Sequence, residues 1–181
     1  TDNIHSIFVD QWDWEKVIRK EDRTEATFRH AVKLIYASLR HTEIYIADDY
    51  NFIDRLLPEK IEFITSQQLE DRYPDKTPKE REYLAAKEYG AICLMQIGGK
   101  LKSGSKHDGR APDYDDWSLN GDMLVYNRVL DSALELSSMG IRVNKEILVS
   151  QLTSENKLDR LELPFHKALV NEQLPLTIGG G

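Results

Sequence analysis

Two short stretches carry carboxylates and amides at strand spacing, the arrangement a cleft needs to hold a small charged molecule. In Ser6–Trp14 (SIFVDQWDW) a period of two puts Ile7, Val9, Gln11 and Asp13 on one face and Phe8, Asp10, Trp12 and Trp14 on the other. The tryptophan face is expected to pack against helices, leaving the other as a pocket floor. In Ala133–Met139 the same alternation groups Glu135 with Ser137, and Leu134 with Leu136 and Ser138. Carboxylates over a sheet-floored cleft are costly unless a cation or a metal pairs with them. The competing reading is a strand face in solvent. Between these stretches, residues 103–116 form a polar loop holding Asp108, Arg110, Asp113, Asp115 and Asp116, which composition alone would leave solvated.

Other chemistries find little support. Gly98-Gly99-Lys100 lacks the first glycine of a phosphate-binding loop, with Leu94 in its place, and Leu101 stands where Ser or Thr is needed. It reads as a strand-ending turn. The five histidines (His5, His30, His41, His107, His166) have no metal-ligand spacing. His30 reads as surface or interface, and His107 in the acidic loop reads first as structural. No Ser/His/Asp or Cys/His grouping emerges.

The elements that must position these residues follow from pattern and caps. Asp22 and Glu25 look like a capping box, and Phe28, Val32, Ile35 and Leu39 then recur at helical spacing to about residue 47. Ile61–Thr65 reads as a strand, with Ser66 capping a helix that ends near Tyr73-Pro74. Thr77-Pro78-Lys79-Glu80 is a strong helix start, and Gly90 ends that helix before a buried strand, Ala91–Ile97. Met123–Tyr126 and Ser132–Val143 read as antiparallel strands because their connection is short. Asn144 starts a helix, Pro164–Asn171 is another, and Leu176–Ile178 is a last strand. The fold class is α+β, a mostly antiparallel sheet flanked by helices.

At 181 residues, 40% hydrophobic and 30% charged, the chain can bury one domain's core. A net charge of −7 disfavours nucleic acid as a partner, because polyanion binding relies on clustered Lys and Arg. No apolar run reaches the length of a membrane span, so no membrane partner is expected. The single cysteine, Cys93, cannot form an intrachain disulfide, which suits a reducing cytoplasm. The chain starts at Thr1 without a methionine and stops on three glycines, so it is expected to be a single catalytic domain, 1–181, cut at both ends.

Three segments carry more. Val9-Asp-Gln-Trp-Asp-Trp-Glu15, Arg110-Ala-Pro-Asp-Tyr-Asp-Asp-Trp117 and Glu135-Leu-Ser-Ser-Met-Gly-Ile-Arg-Val143 resemble signature stretches of the asparagine synthetase A (aspartate–ammonia ligase) family. Leu119-Asn-Gly-Asp122 and Thr177-Ile-Gly-Gly-Gly181 agree with it in order and approximate spacing. The resemblance implies a fold similar to the catalytic domain of class II aminoacyl-tRNA synthetases, a homodimer, and ATP with Mg²⁺. It implies a reaction of L-aspartate, ammonia and ATP through a β-aspartyl-adenylate to L-asparagine, AMP and pyrophosphate. The alternative is a non-catalytic paralogue that binds amino acid or adenylate. A true tRNA synthetase core would need a basic surface, which this acidic chain lacks.

Residue by residue, the resemblance puts Gln11, Asp13, Asp115 and Ser138 around the amino acid, where a substrate ammonium would pair with carboxylates. It puts Asp122 and Glu135 at Mg²⁺ and the nucleotide phosphates, which suits a metal that takes oxygen ligands. Ser6, Val9, Leu136 and Ser137 would line the AMP pocket, and Arg142 would stabilise phosphate charge in the transition state. Arg142, Glu135 and Asp115 are therefore the catalytic expectations. Two departures stand out. Trp117 reaches Leu119 through Ser118 alone, where the family has a longer loop, so a loop is expected to be missing near 117–119. The flanking segments that carry further family site residues are not in this sequence.

Overall fold

Strand pairing is fixed by where apolar runs can be covered on both faces. Ala91–Met95 (β3) is buried at every position and lies inside the sheet; Trp14–Val17 (β1) is mostly exposed and lies at an edge. In the computed structural model, which describes residues 7–181, four further strands complete one six-stranded sheet. They are Glu62–Thr65 (β2), Asp115–Asn127 (β4), Ser132–Arg142 (β5) and Thr177–Gly180 (β6). The order is β1-β6-β5-β4-β3-β2, antiparallel throughout except for the β2–β3 pair.

Helix Glu25–Asp49 (α1) covers one face. Its Phe28, Val32 and Tyr36 pack on Cys93, Met95, Met123, Met139, Ile141 and Ile178. Each such side chain, fully buried, contributes roughly 1.5–3 kcal/mol of transfer free energy. Helices Ser66–Arg72 (α2) and Pro78–Tyr89 (α3) cover part of the other face, where Leu69 and Ala85 meet Ile92, Leu94 and Leu124. Lys145–Ser154 (α4) and Pro164–Val170 (α5) form a third cluster around Val143, Leu148 and Leu152.

The caps of α3 and α4 stand as expected. Thr77 accepts from the Glu80 N–H in a reciprocal capping box, Gly90 closes α3 at φ 78°, and Asn144 caps α4. Two caps differ. A 3-10 turn, Lys20–Asp22, absorbs the Asp22 carboxylate, which accepts from the Arg19 N–H at 3.1 Å. Thr24 therefore caps α1. Likewise Thr65, not Ser66, caps α2.

Two strand expectations need correction. Residues 7–13 are not a strand. The register sets Trp14 opposite Gly180, so 7–13 run past the last paired residue of β6 and have no ladder to join. Trp12 is 89% exposed and does not pack against a helix; Trp14 does join the core. In β5 the register slips by one residue: Met123 opposes Ser137 while Leu124 opposes Glu135. Leu136 is the extra residue of a β-bulge. Because opposed residues share a face, Ser137 turns to the α1 side with Met123, and Glu135 shares the other face with Ser138. The grouping of Glu135 with Ser137 is thus overturned.

Candidate active site

The face opposite α1, over β4, β5, β6 and the start of β1, is where charge collects. Gly140 and Gly179 oppose each other, Asn120 opposes Gly140, and Glu15 opposes Gly179. Alternation then places Asp13, Gly181, Ser138, Arg142 and Asp122 on that same face. The glycines make room for it. A Cβ on Gly140 would lie 2.6 Å from the Asp115 Cγ, and one on Gly179 would lie 2.6 Å from Arg142 Nη2. One on Gly181 would strike Asp13 and lie 2.6 Å from Gln11 Nε2. Small residues thus floor a recess that acidic, amide and cationic side chains fill.

Arg142 is the hub of one half. Its Nη1 donates to Asp115 at 2.5 Å, and its Nε and Nη2 donate to the Glu15 carboxylate at 3.1 and 2.8 Å. The guanidinium lies 4.1 Å from the Tyr114 ring centroid. Burial works against its charge, but the two carboxylates outweigh it and hold the guanidinium more firmly ionised than usual. Burial pushes the Asp115 carboxyl up, with Arg142 opposing only in part. On Glu15 burial also raises, yet the Arg142 hydrogen bonds prevail and its carboxyl sits below the ordinary range.

The start of β4 is clamped from behind. Gln151 on α4 donates to the carbonyls of Pro112 and Asp115 and accepts from the Trp117 N–H. Arg23, just ahead of α1, donates to the Arg142 carbonyl at 2.5 Å and to Asp116 at 2.9 Å. Asp113 pairs with Arg160 and His166. The acidic loop is therefore largely paired and not simply solvated, which corrects the compositional reading. Its backbone carries Asp115 because Arg23 ahead of α1, the Gln151 amide on α4, and Arg160 and His166 near the C-terminus fix it.

The other half holds Asp122, opposite Ser138, and Glu135 beyond the bulge. Asp122 is buried; its Oδ2 pairs with Arg110 and its Oδ1 has no hydrogen-bond partner. Burial pushes its carboxyl up, with Arg110 and then the Ser138 hydroxyl opposing. Burial, then the Asp122 charge, pushes Glu135 up as well. Nearby, Glu82 on α3 is held by Lys79 at 2.9 Å and by buried His107 at 3.0 Å, which gives that histidine its structural role. An orphaned buried carboxylate oxygen beside a second carboxylate is an all-oxygen donor set, and it fits a hard divalent cation. Among the described residues no group of three or more His, Cys, Asp or Glu could hold a metal alone, so further ligands would come from water or substrate.

Of the expected site residues, the structure brings Gln11, Asp13, Asp115, Asp122, Glu135, Ser138 and Arg142 to one face. Val9 is 73% exposed in the irregular 7–13 segment, Leu136 is the exposed bulge residue, and Ser137 faces α1. Ser6 lies outside the described residues. Glu15, Arg110 and Tyr114 were missed. Glu15 was within reach, since it continues the period of Gln11 and Asp13 by two more residues. Tyr114 gives no spacing signal.

A largely antiparallel six-stranded sheet with helices behind and a charged open face is the catalytic-domain architecture of class II aminoacyl-tRNA synthetases. An aspartyl-tRNA synthetase from Entamoeba histolytica superposes with a TM-score of 0.52 at 15% identity, covering 93% of this chain and 37% of that one. The same organism's asparaginyl-tRNA synthetase superposes with a TM-score of 0.54 at 12% identity, over 93% and 40%. The sequence is more specific. It matches the aspartate-ammonia ligase family model over residues 1–181, and the chain belongs to that family. An aspartate–ammonia ligase of Clostridium perfringens (strain SM101 / Type A) is 58% identical over 180 residues, 99% of this chain and 54% of that protein. The chain thus spans about half the length of the curated relatives it matches.

Proposed function

We propose that this chain is the catalytic core of an ATP-dependent ligase that makes L-asparagine from L-aspartate and ammonia, releasing AMP and pyrophosphate. The observation that carries the reading is the convergence of Asp13, Asp115, Asp122, Glu135 and Arg142 on one glycine-floored sheet face. A face with Arg142 and Asp115 at one end and Asp122 and Glu135 toward the other suits a substrate that is a zwitterion and a nucleotide together.

In this reading Gln11, Asp13, Asp115 and Ser138 hold the amino acid, with the carboxylates on its ammonium. Asp115 and Glu15 also fix the Arg142 guanidinium, so its charge is in place before reaction and costs no reorganisation when phosphate charge builds. The substrate β-carboxylate attacks the α-phosphorus; a P–O bond forms as the bond to the pyrophosphate leaving group breaks. Ammonia then attacks the acyl carbon, AMP leaves, and the nitrogen loses a proton. Holding both partners over a rigid sheet supplies the orientation each displacement needs. Asp122 and Glu135 would hold Mg²⁺, which when bound neutralises phosphate charge. Val9, Leu136 and Ser6 are proposed at the rim of the nucleotide site. Ser137 is dropped from that set, because the bulge turns it away.

The remaining attributes follow the family. A homodimer is supported by the apolar groove between β1 and α1, lined by Trp14, Ile18, Leu34, Ile35 and Ile178, beside exposed Val17. A cytoplasmic site suits the buried Cys93 thiol; among the described residues no helix is long and apolar enough to cross a membrane. The reading is tested by incubating the full-length protein with ATP, Mg²⁺, aspartate and ammonium, following all products together. Equal amounts of AMP, pyrophosphate and asparagine are expected. ADP and phosphate would overturn the adenylate route, and binding without turnover would indicate a non-catalytic paralogue.

A further inference from the structure

We propose that Arg110 is a built-in counter-cation for the Asp122–Glu135 carboxylate pair, which it neutralises until a divalent cation takes Asp122 from it. The inference rests on reading that pair as a cation site, and it concerns how the site is kept before the cation arrives.

Asp122 is held rigidly. It sits within the β4 ladder, between Leu94 on one side and Ser138 on the other, with its side chain 7% exposed. Its two oxygens differ. Oδ2 takes the Arg110 Nη2, while Oδ1 is buried with no partner. A guanidinium that uses one oxygen leaves the carboxylate half-satisfied. A small cation with several open positions would satisfy it and reach Glu135 as well.

Arg110 differs in kind from its partner. It comes from the connection between β3 and β4, not from the sheet, and its side chain is 23% exposed against 7% for Asp122. The backbone just beyond it is fixed: the Ala111 carbonyl accepts from Trp117 Nε1, and the Pro112 carbonyl accepts from Gln151 Nε2. Displacement therefore needs only side-chain rotation. The surrounding charges make a counter-cation necessary. Asp122, Glu135 and Glu82 crowd together, and the cations set against them are Lys79, Arg110 and, when protonated, the His107 ring on Glu82. Lys79 is bonded to Glu82, which leaves Arg110 as the cation on Asp122. Without either Arg110 or a metal, the buried Asp122 carboxylate and the more exposed Glu135 carboxylate would share one face of the sheet with no cation on Asp122.

A divalent cation at the open Oδ1 would stand beside the Arg110 guanidinium on the same carboxylate. Their repulsion favours rotation of Arg110 away from Oδ2, so metal affinity should carry the cost of opposing or moving Arg110. The test is Mn²⁺ titration of the full-length protein without nucleotide, reading free Mn²⁺ by electron paramagnetic resonance. Arg110→Met should bind on the order of tenfold tighter than the parent protein, Arg110→Lys close to it, and Asp122→Asn should lose the site. Thermal melting gives a second readout. In EDTA Arg110→Met should melt below the parent, and Mn²⁺ should raise its melting temperature by more. Equal or weaker Mn²⁺ binding by Arg110→Met, with Asp122→Asn still abolishing it, would overturn the competition alone. Binding unaffected by Asp122→Asn would remove the cation-site reading, and this inference with it.

Discussion

The two faces of the sheet use the same strands for opposite purposes. Met123 and Asp122, Ile141 and Arg142, and Ile178 and Gly179 are chain neighbours, yet the first of each pair packs under α1 and the second stands on the charged face. Under α1 the fill is an apolar, deeply buried cluster. On the open face the space that apolar side chains would take is left by Gly140, Gly179 and Gly181 and filled by Asp115, Glu15, Arg142, Asp13 and Gln11. The lesson is a division of labour. The packed face supplies rigidity, and the open face spends that rigidity on holding carboxylates where solvation alone would not keep them.

Substitutions should sort by face. The largest expected effect is on the open side: Glu135→Ala should lower turnover by about a thousandfold or more, the scale of losing a main electrostatic contributor, with melting nearly unchanged. Near-normal turnover would remove Glu135 from the metal site. Next, Met139→Ala, on the α1 face and 1% exposed, should cost roughly 2–5 kcal/mol of stability by leaving a cavity. Chemical denaturation would show it, with the KM values of whatever remains folded little changed. Gly140→Ala crosses the division. Its new methyl would meet the Asp115 carboxyl, so a loss of about 1–3 kcal/mol should accompany a raised aspartate KM. A variant that lost stability but kept its KM would put Asp115 outside the substrate site.

The smallest effect concerns pH. Burial and the Asp122 charge hold the Glu135 carboxyl above the usual range, so its ionised form is penalised in the folded state. That penalty is absent below the unfolded value and appears as pH rises through the raised folded one. Without divalent cation, Glu135→Gln should therefore be the more stable protein at neutral pH. Because Glu135 is exposed enough to be screened, the gain should be only a few tenths of a kcal/mol, vanishing toward about pH 4. A melting series in pH would show it. A gain that grew as pH fell would contradict the burial argument.

Local signals carried the helices well. Caps such as Thr77 with Glu80, Gly90 and Asn144 act within a few residues and do not depend on tertiary context. Strand facing was legible only where alternation ran unbroken. At Leu136 one inserted residue reversed the phase, and no composition signal announces a bulge. The 7–13 segment failed for a different reason: its β-branched and aromatic residues favour a strand, but no neighbour offers a ladder there. Gln11 and Asp13 nonetheless reach Gly181, so their side chains were placed rightly on a wrong element. The partners that fix the site from a distance in sequence, Arg23, Gln151 and Arg160, gave no sign at all. Each is recognisable only once the fold brings it to the acidic loop.

The most direct measurement follows an oxygen atom. With aspartate carrying oxygen-18 in its side-chain carboxylate, attack on the α-phosphorus leaves one labelled oxygen on the phosphate of AMP after ammonia displaces it. The account predicts that AMP acquires the label and that the asparagine amide oxygen keeps the other. Label found in inorganic phosphate, with none in AMP, would contradict it.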